Sequence, residues 1–407
     1  MTKSLAILCL SLFVLPSLYP TNLLGQNSLA GKWRCYLECP GGQIRFGISV
    51  VETNDRMRAF VTNGSEKIEI PKISVKQKYA DVSFVFDHYD STLKFGLKNE
   101  KLVGTWRKTR GANKFVTMNF FGTRESLKEY MPTKDDSIDG RWQVKFEKSE
   151  DPAVGIFSTR NDGTLAGTFL TTTGDYRFLD GQMRDGTMEL SCFDGAHAFL
   201  FRAKLNDSGI LLGDFWSSNT WHEKWVAKKD PNARLPDAFK QTVIADSHSI
   251  DEFQFPDLDG KPTSLLDRKF SAPARMIYVF GSWCPNCHDA AAYFKQLKDK
   301  YGEDLSILGL AFEMTGNFDR DAKQVRKYLD RHGVDYPVLI AGLSDKKLAT
   351  QSIPFLDRVR SYPTTIFLNR KNEIIAIHTG FTGPATGNAF DRLKSRFEEI
   401  IEKQIAK

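Results

Sequence analysis

The chain has 407 residues, of which 41% are hydrophobic and 12% aromatic. That supply of apolar side chains builds sizeable cores and excludes a disordered or fibrous chain. The 56 Lys and Arg against 50 Asp and Glu leave a net charge of only +6 with no basic arm or face, so nucleic acid is not an expected partner.

A chain of this length divides into two to four domains. Residues 1–25 read as an export signal, because Lys3 precedes an apolar run from Leu5 to Leu15 that ends at Pro16. The run is too short to cross a hydrocarbon layer of ~30 Å and has the length of a signal h-region. Cleavage is expected near Gly25. Cys9 lies inside the run, close to Lys3, which disfavours lipoprotein processing, and an uncleaved anchor is the lesser alternative. The mature chain is therefore expected to be a soluble protein of the periplasm or another exported compartment of a bacterial envelope. Loss of Cys9 leaves Cys35, Cys39, Cys192, Cys284 and Cys287, an odd set that cannot be wholly paired within one chain.

An internal repeat follows. Gly31, Lys32 and Trp33 recur as Gly140, Arg141 and Trp142, and the stretch from Leu102 to Trp106 recurs from Leu211 to Phe215 at the same offset of 109. Two tandem all-β modules are expected, residues 28–122 and 138–227. Alternating segments such as 44–51, 67–73, 82–86 and 187–192 are broken by turn pairs like Asn63-Gly64 and Asp185-Gly186, the pattern of small antiparallel barrels or sandwiches. The opening Gly-x-Trp resembles the start of lipocalin-type barrels. Trp33, Trp106, Trp142 and Trp225 are expected to plug β cores rather than to line a ligand pocket.

Residues 228–249, with Pro231 and Pro236, read as a linker. Residues 250–407 then alternate strands and helices, the signature of an α/β domain. A hairpin over 253–265 turns at Asp259-Gly260, and a buried strand covers 275–280. A helix over 285–301 carries Ala290, Tyr293, Phe294, Leu297 and Tyr301 on one stripe. Strand 305–312, helix 320–332, strands 337–341, 364–368 and 373–378, and helix 387–403 complete the domain.

The sequence Trp283-Cys284-Pro285-Asn286-Cys287 stands where a strand ends and a helix begins. Unpaired N–H groups and the positive end of a helix dipole stabilise a thiolate there. Cys284 is expected to be exposed and reactive, and Cys287, one turn in, to be shielded. Pro285 fits the first helical position, where its missing N–H needs no partner.

In this region the chain resembles the thioredoxin-fold superfamily, and within it the exported TlpA/ResA-like thiol-disulfide oxidoreductases. The resemblance covers residues 250–407 and rests on four features in order: the stretch from Phe255 to Lys261, the segment from Trp283 to Cys287, a strand ending at Glu313, and Tyr362-Pro363-Thr364-Thr365-Ile366-Phe367-Leu368. It implies a cis Pro363 facing the two sulfurs, a redox-active disulfide between Cys284 and Cys287, and a client groove formed by Trp283, Pro285, Tyr362, Pro363 and Thr364. It also implies reduction of client protein disulfides, with electrons from a membrane thiol-reductase, and no cofactor. The chain departs from the family pattern at Tyr278, where thioredoxin has a buried Asp, and at Ala290, where extracytoplasmic reductases often have Glu. Glu313, at a strand end, becomes the candidate for proton transfer, with a solvated carboxylate as the equal alternative.

Other readings stay open. His288 invites zinc, but no second ligand pair lies nearby in sequence. Peroxiredoxin-like peroxide reduction calls for a Thr at the position of Gly281. Copper(I) delivery could use the same two cysteines, and the β modules could be adaptors. For Cys35 and Cys39 a functional pair, a structural disulfide and two free thiols stay open; the disulfide is mildly favoured and requires a turn between them. Cys192 is expected to be a buried thiol.

Overall fold

The computed structural model describes residues 28–53, 56–124, 138–245, 250, 253–264, 267 and 270–407. The expected signal at 1–25 lies outside the described residues. No helix among the described residues is long and apolar enough to cross a membrane.

Residues 31–124 form a nine-stranded antiparallel sheet. Its first strand, Gly31–Cys39, pairs with both Gly42–Thr53 and the last strand, Lys114–Arg124. Period-two burial aims Trp33, Cys35 and Leu37 inward. Residues 140–229 form a second sheet. There Ala153–Thr159 pairs with both Gly140–Phe146 and Thr164–Thr171, so eight strands close into a ring, and the short strand Gly174–Asp175 is added to Thr164–Thr171. The indole of Trp33 donates to Leu29 O and that of Trp142 to Ile138 O, both at 2.8 Å. Gly31 and Gly140 hold φ of +116° and +112°, a region that side-chain-bearing residues rarely adopt. All four tryptophans are buried.

The two sheets share apolar surface. Phe193, Ala196, Ala198 and Leu200 of the second sheet pack into the core of the first. The Phe193 ring lies 4.4 Å from Phe46, and its backbone N–H and carbonyl both bond the Asn63 amide at 3.0 Å.

The strand Trp221–Lys229 runs into the expected linker. Beyond it, Phe239 packs edge-on to Phe397 and His378, and Ile244 bridges Leu356, so this segment is fastened to the C-terminal domain.

That domain holds a five-stranded sheet whose strands we number β1 (Ala274–Phe280), β2 (Leu305–Glu313), β3 (Val338–Leu343), β4 (Thr364–Leu368) and β5 (Ile374–Thr379). The order is β3-β2-β1-β4-β5, parallel from β1 to β3 and antiparallel for β4 and β5. Its helices are α1 (Pro285–Tyr301), α2 (Phe318–His332), α3 (Lys346–Ser352) and α4 (Asn388–Ile405). The stripe on α1 buries Ala290, Tyr293, Phe294 and Leu297. Asn317 caps α2 by accepting from Arg320 N, and Gly333 ends it in the left-handed region. The short α3, capped by Asp345, is an element the sequence reading missed. The right-handed β1-α1-β2 crossover expected of parallel strands puts the loop that leads to Cys284 and the Glu313 end of β2 at the same edge of the sheet.

Candidate functional site

Strand β1, buried and without charge from Met276 onward, ends at Phe280, and Gly281 turns the chain. A Cβ on Gly281 would lie 2.2 Å from the Trp283 indole nitrogen, so glycine is what lets the indole fold back. That indole donates to Phe312 O at 2.9 Å and meets the Tyr362 ring edge-on, with centroids 5.6 Å apart. Cys284 is the N-cap of α1 and Pro285 its first residue. The carbonyl of Cys284 accepts from Cys287 N at 3.0 Å and His288 N at 3.2 Å, which closes the first turn.

The Cys284 thiol donates to Tyr362 O at 3.4 Å, and the Tyr362–Pro363 bond is cis. Cys287 is fully buried, and burial together with the neighbouring Cys284 sulfur holds its pKa well above the ordinary thiol value. Both residues are free thiols. Tyr278 and Tyr328 each donate their hydroxyl to Cys287 O, at 2.7 and 2.8 Å. Tyr278 thus braces the inner cysteine's backbone. Thr364 closes the loop by donating to Ser361 O at 2.9 Å.

Glu313 is 1% exposed, which overturns the solvated alternative. One carboxylate oxygen accepts from Ser282 N and the other from the Ser282 hydroxyl. Burial outweighs these bonds and pushes its pKa up to about 8. Ser282 O in turn accepts from His288 Nε2 at 2.8 Å. A carbonyl only accepts, so this nitrogen carries the hydrogen. His288, held neutral by burial and by His332, then accepts at Nδ1 from His332 Nε2 at 2.7 Å. Among the described residues no group of three or more His, Cys, Asp or Glu could hold a metal ion.

The expectation of an exposed Cys284 is corrected: the residue is 7% exposed, and Pro285 and Asn286 beside it are buried. The second β sheet lies against Pro285 and Asn286. Arg177 reaches Pro285 O at 3.5 Å, and Asn286 donates to Asp175 O at 3.4 Å. Arg177 also pairs with Asp289, Glu66 and Asp194. Burial and the nearby carboxylates raise Asp289 to about 7. The Cys35–Cys39 disulfide is also corrected: the two residues lie on one unbroken strand, its turn comes after Cys39, and both are free thiols. Cys192 is buried as expected.

The site therefore assembles Trp283, Cys284, Pro285, Cys287, Glu313, Tyr362, Pro363 and Thr364. The sequence reading missed Ser282 and Arg177. Ser282 adjoins the cysteine motif, which was its available signal; for Arg177 there was none.

Residues 245–392 match the family model described as Redoxin. The thioredoxin-like protein YneN of Bacillus subtilis is 28% identical over 141 residues, spanning 35% of this chain and 75% of YneN. The thiol-disulfide oxidoreductase ResA of Halalkalibacterium halodurans is 27% identical over 153 residues, 37% of this chain and 74% of ResA. Among solved structures, a thiol-disulfide oxidoreductase from Bacteroides fragilis is 19% identical, with 35% of this chain and 96% of that one covered and a TM-score of 0.26.

Proposed function

We propose that this thioredoxin-like thiol-disulfide oxidoreductase, with its redoxin domain at residues 245–392, is an exported reductant of client protein disulfides. The observation that carries the reading is the placement of the Cys284 thiol against Tyr362 O, beside Pro363, with Cys287 buried one turn further in.

The Cys284 thiolate attacks one sulfur of a client disulfide. A mixed disulfide forms and the client's other sulfur leaves as a thiolate. Cys287 then loses its proton and attacks Cys284, which releases the second client sulfur and leaves Cys284 and Cys287 joined. Two electrons pass from the dithiol to the client. Glu313, raised to about 8 by burial, holds a proton at neutral pH and trades it with the site through Ser282. Trp283 shields the sulfurs, and Pro285, Tyr362, Pro363 and Thr364 form the wall on which a client lies.

Residues 1–25 would deliver the chain across a membrane, and a membrane thiol-reductase would return the disulfide to dithiol. The duplicated Gly-x-Trp segments would mark a tandem β array that places the redox domain. Insulin reduction with dithiothreitol as recycling reductant tests this: wild type should precipitate insulin B chain, and Cys284→Ser should not. Stable copper(I) binding with no insulin turnover would replace the reading by metal delivery.

A further inference from the structure

The face on which a client would lie is occupied. Ser361, Tyr362, Cys284 and Asn286 are all under 9% exposed, and a turn of the second β sheet, residues 172–177, is seated on Ser361, Pro285 and Asn286, the residues that flank Tyr362 and Cys284. The Ser361 hydroxyl donates to Thr173 O at 2.7 Å, and Gly383 N donates to the Asp175 carboxylate at 2.6 Å. Asn286 bonds Asp175 O, and Arg177 bonds Pro285 O and Asp289. On the flank Arg360 grips both oxygens of Asp151, at 2.6 and 2.7 Å, and Asp151 also accepts from Thr172 at 2.9 Å.

The seat is fitted at the level of backbone. A Cβ on Gly174 would come 2.0 Å from the Asn286 amide, one on Gly380 2.9 Å from Thr173 C, and one on Gly383 2.9 Å from Asp289 and 3.0 Å from Asp175. The contacts that hold the turn are mostly hydrogen bonds and ion pairs. Such a contact can detach at modest cost, since water replaces polar partners better than it covers apolar surface.

The geometry points to residues 172–177 as a built-in cover over the dithiol, a segment of this chain that must swing away before a protein disulfide reaches Cys284. Arg177 is its positioning residue. The cover discriminates by size: a small disulfide needs a narrow breach, a folded client needs the turn displaced. This deepens the client-reductase reading and rests on it for the identity of what is excluded. The apparent affinity for clients is then the intrinsic affinity reduced by the fraction of molecules with the cover open.

The test uses the full, reduced chain and reads alkylation of Cys284 by peptide mass spectrometry, with iodoacetamide and with a polymer-bearing maleimide. Gly383→Ala places its Cβ against two anchored carboxylates. Its φ of −81° suits alanine, so the backbone itself is not strained. Asp175→Ala, a second route, removes the acceptor of Gly383 N. Both should raise the ratio of maleimide to iodoacetamide rate about tenfold, as a population shift toward the open form requires. A ratio unchanged in both variants overturns the cover. Insulin turnover on the same samples separates the two claims: a raised ratio without turnover leaves the cover standing and overturns client reduction.

Discussion

Ser282 donates its backbone N–H to one oxygen of Glu313 and its hydroxyl to the other, each at 2.7 Å. The pair locks the loop before Cys284 to the end of β2 and keeps a carboxyl group in a fully buried place.

That burial has a pH signature. Glu313 ionises near 4.5 when solvated and near 8 in the fold, so the folded chain binds a proton that the unfolded chain releases. The stabilisation is complete below about 4.5 and is lost as pH rises toward 8, at up to about 1.4 kcal/mol per pH unit. Glu313→Gln should flatten urea-unfolding stability between pH 5 and 8 and remove the inflection near 8 from the rate of insulin reduction. A slope equal to that of wild type would contradict the assignment.

Tyr278 and Tyr328 share Cys287 O as acceptor. Tyr278→Phe and Tyr328→Phe should each cost about 0.5–1.5 kcal/mol, the usual net value of one buried hydrogen bond, measured by urea unfolding.

The interdomain ion cluster is asymmetric, with Arg177 facing Glu66, Asp194 and Asp289. Arg177→Met strands the buried Asp194 and the half-buried Glu66 and Asp289 and should cost about 3–5 kcal/mol. Asp289→Asn keeps an oxygen for Arg177 and removes a group whose ionisation burial already opposes, so it should cost less than about 1 kcal/mol. Thermal unfolding of the two variants should differ accordingly; equal losses would contradict the cluster's role.

The cysteines outside the site offer a check on the β sheets. Cys35 and Cys192 are buried in the two cores and burial raises both thiols, whereas Cys39 is half-buried beside a turn. Alkylation of the native protein should mark Cys39 and spare the other two until denaturant is added. A nonreduced peptide linking Cys35 to Cys39 would contradict the strand between them.

The redox domain was legible because its signals are local. A buried run before Trp283-Cys284, a stripe on α1 and a proline before a β run each fix one element, and the structure places all of them within a residue or two. The β texture before residue 230 was legible for the same reason. What could not be read was the meeting of distant segments. Arg177 and Asp289 stand 112 positions apart, and nothing in either stretch announces the other, so Cys284 was expected to be open. Cys35 and Cys39 misled because the spacing permits a bridge only around a turn, and the turn falls one residue too late. The short α3 was missed because seven residues carry too little periodicity to register.

The most direct test of the dithiol mechanism is a trap. Cys287→Ser leaves Cys284 able to attack but removes the thiol that resolves the adduct. Expressed in its native compartment, this variant should accumulate mixed disulfides through Cys284 that vanish on reduction and are absent from the Cys284→Ser, Cys287→Ser double variant. A Cys287→Ser protein recovered free of any such adduct would contradict the account.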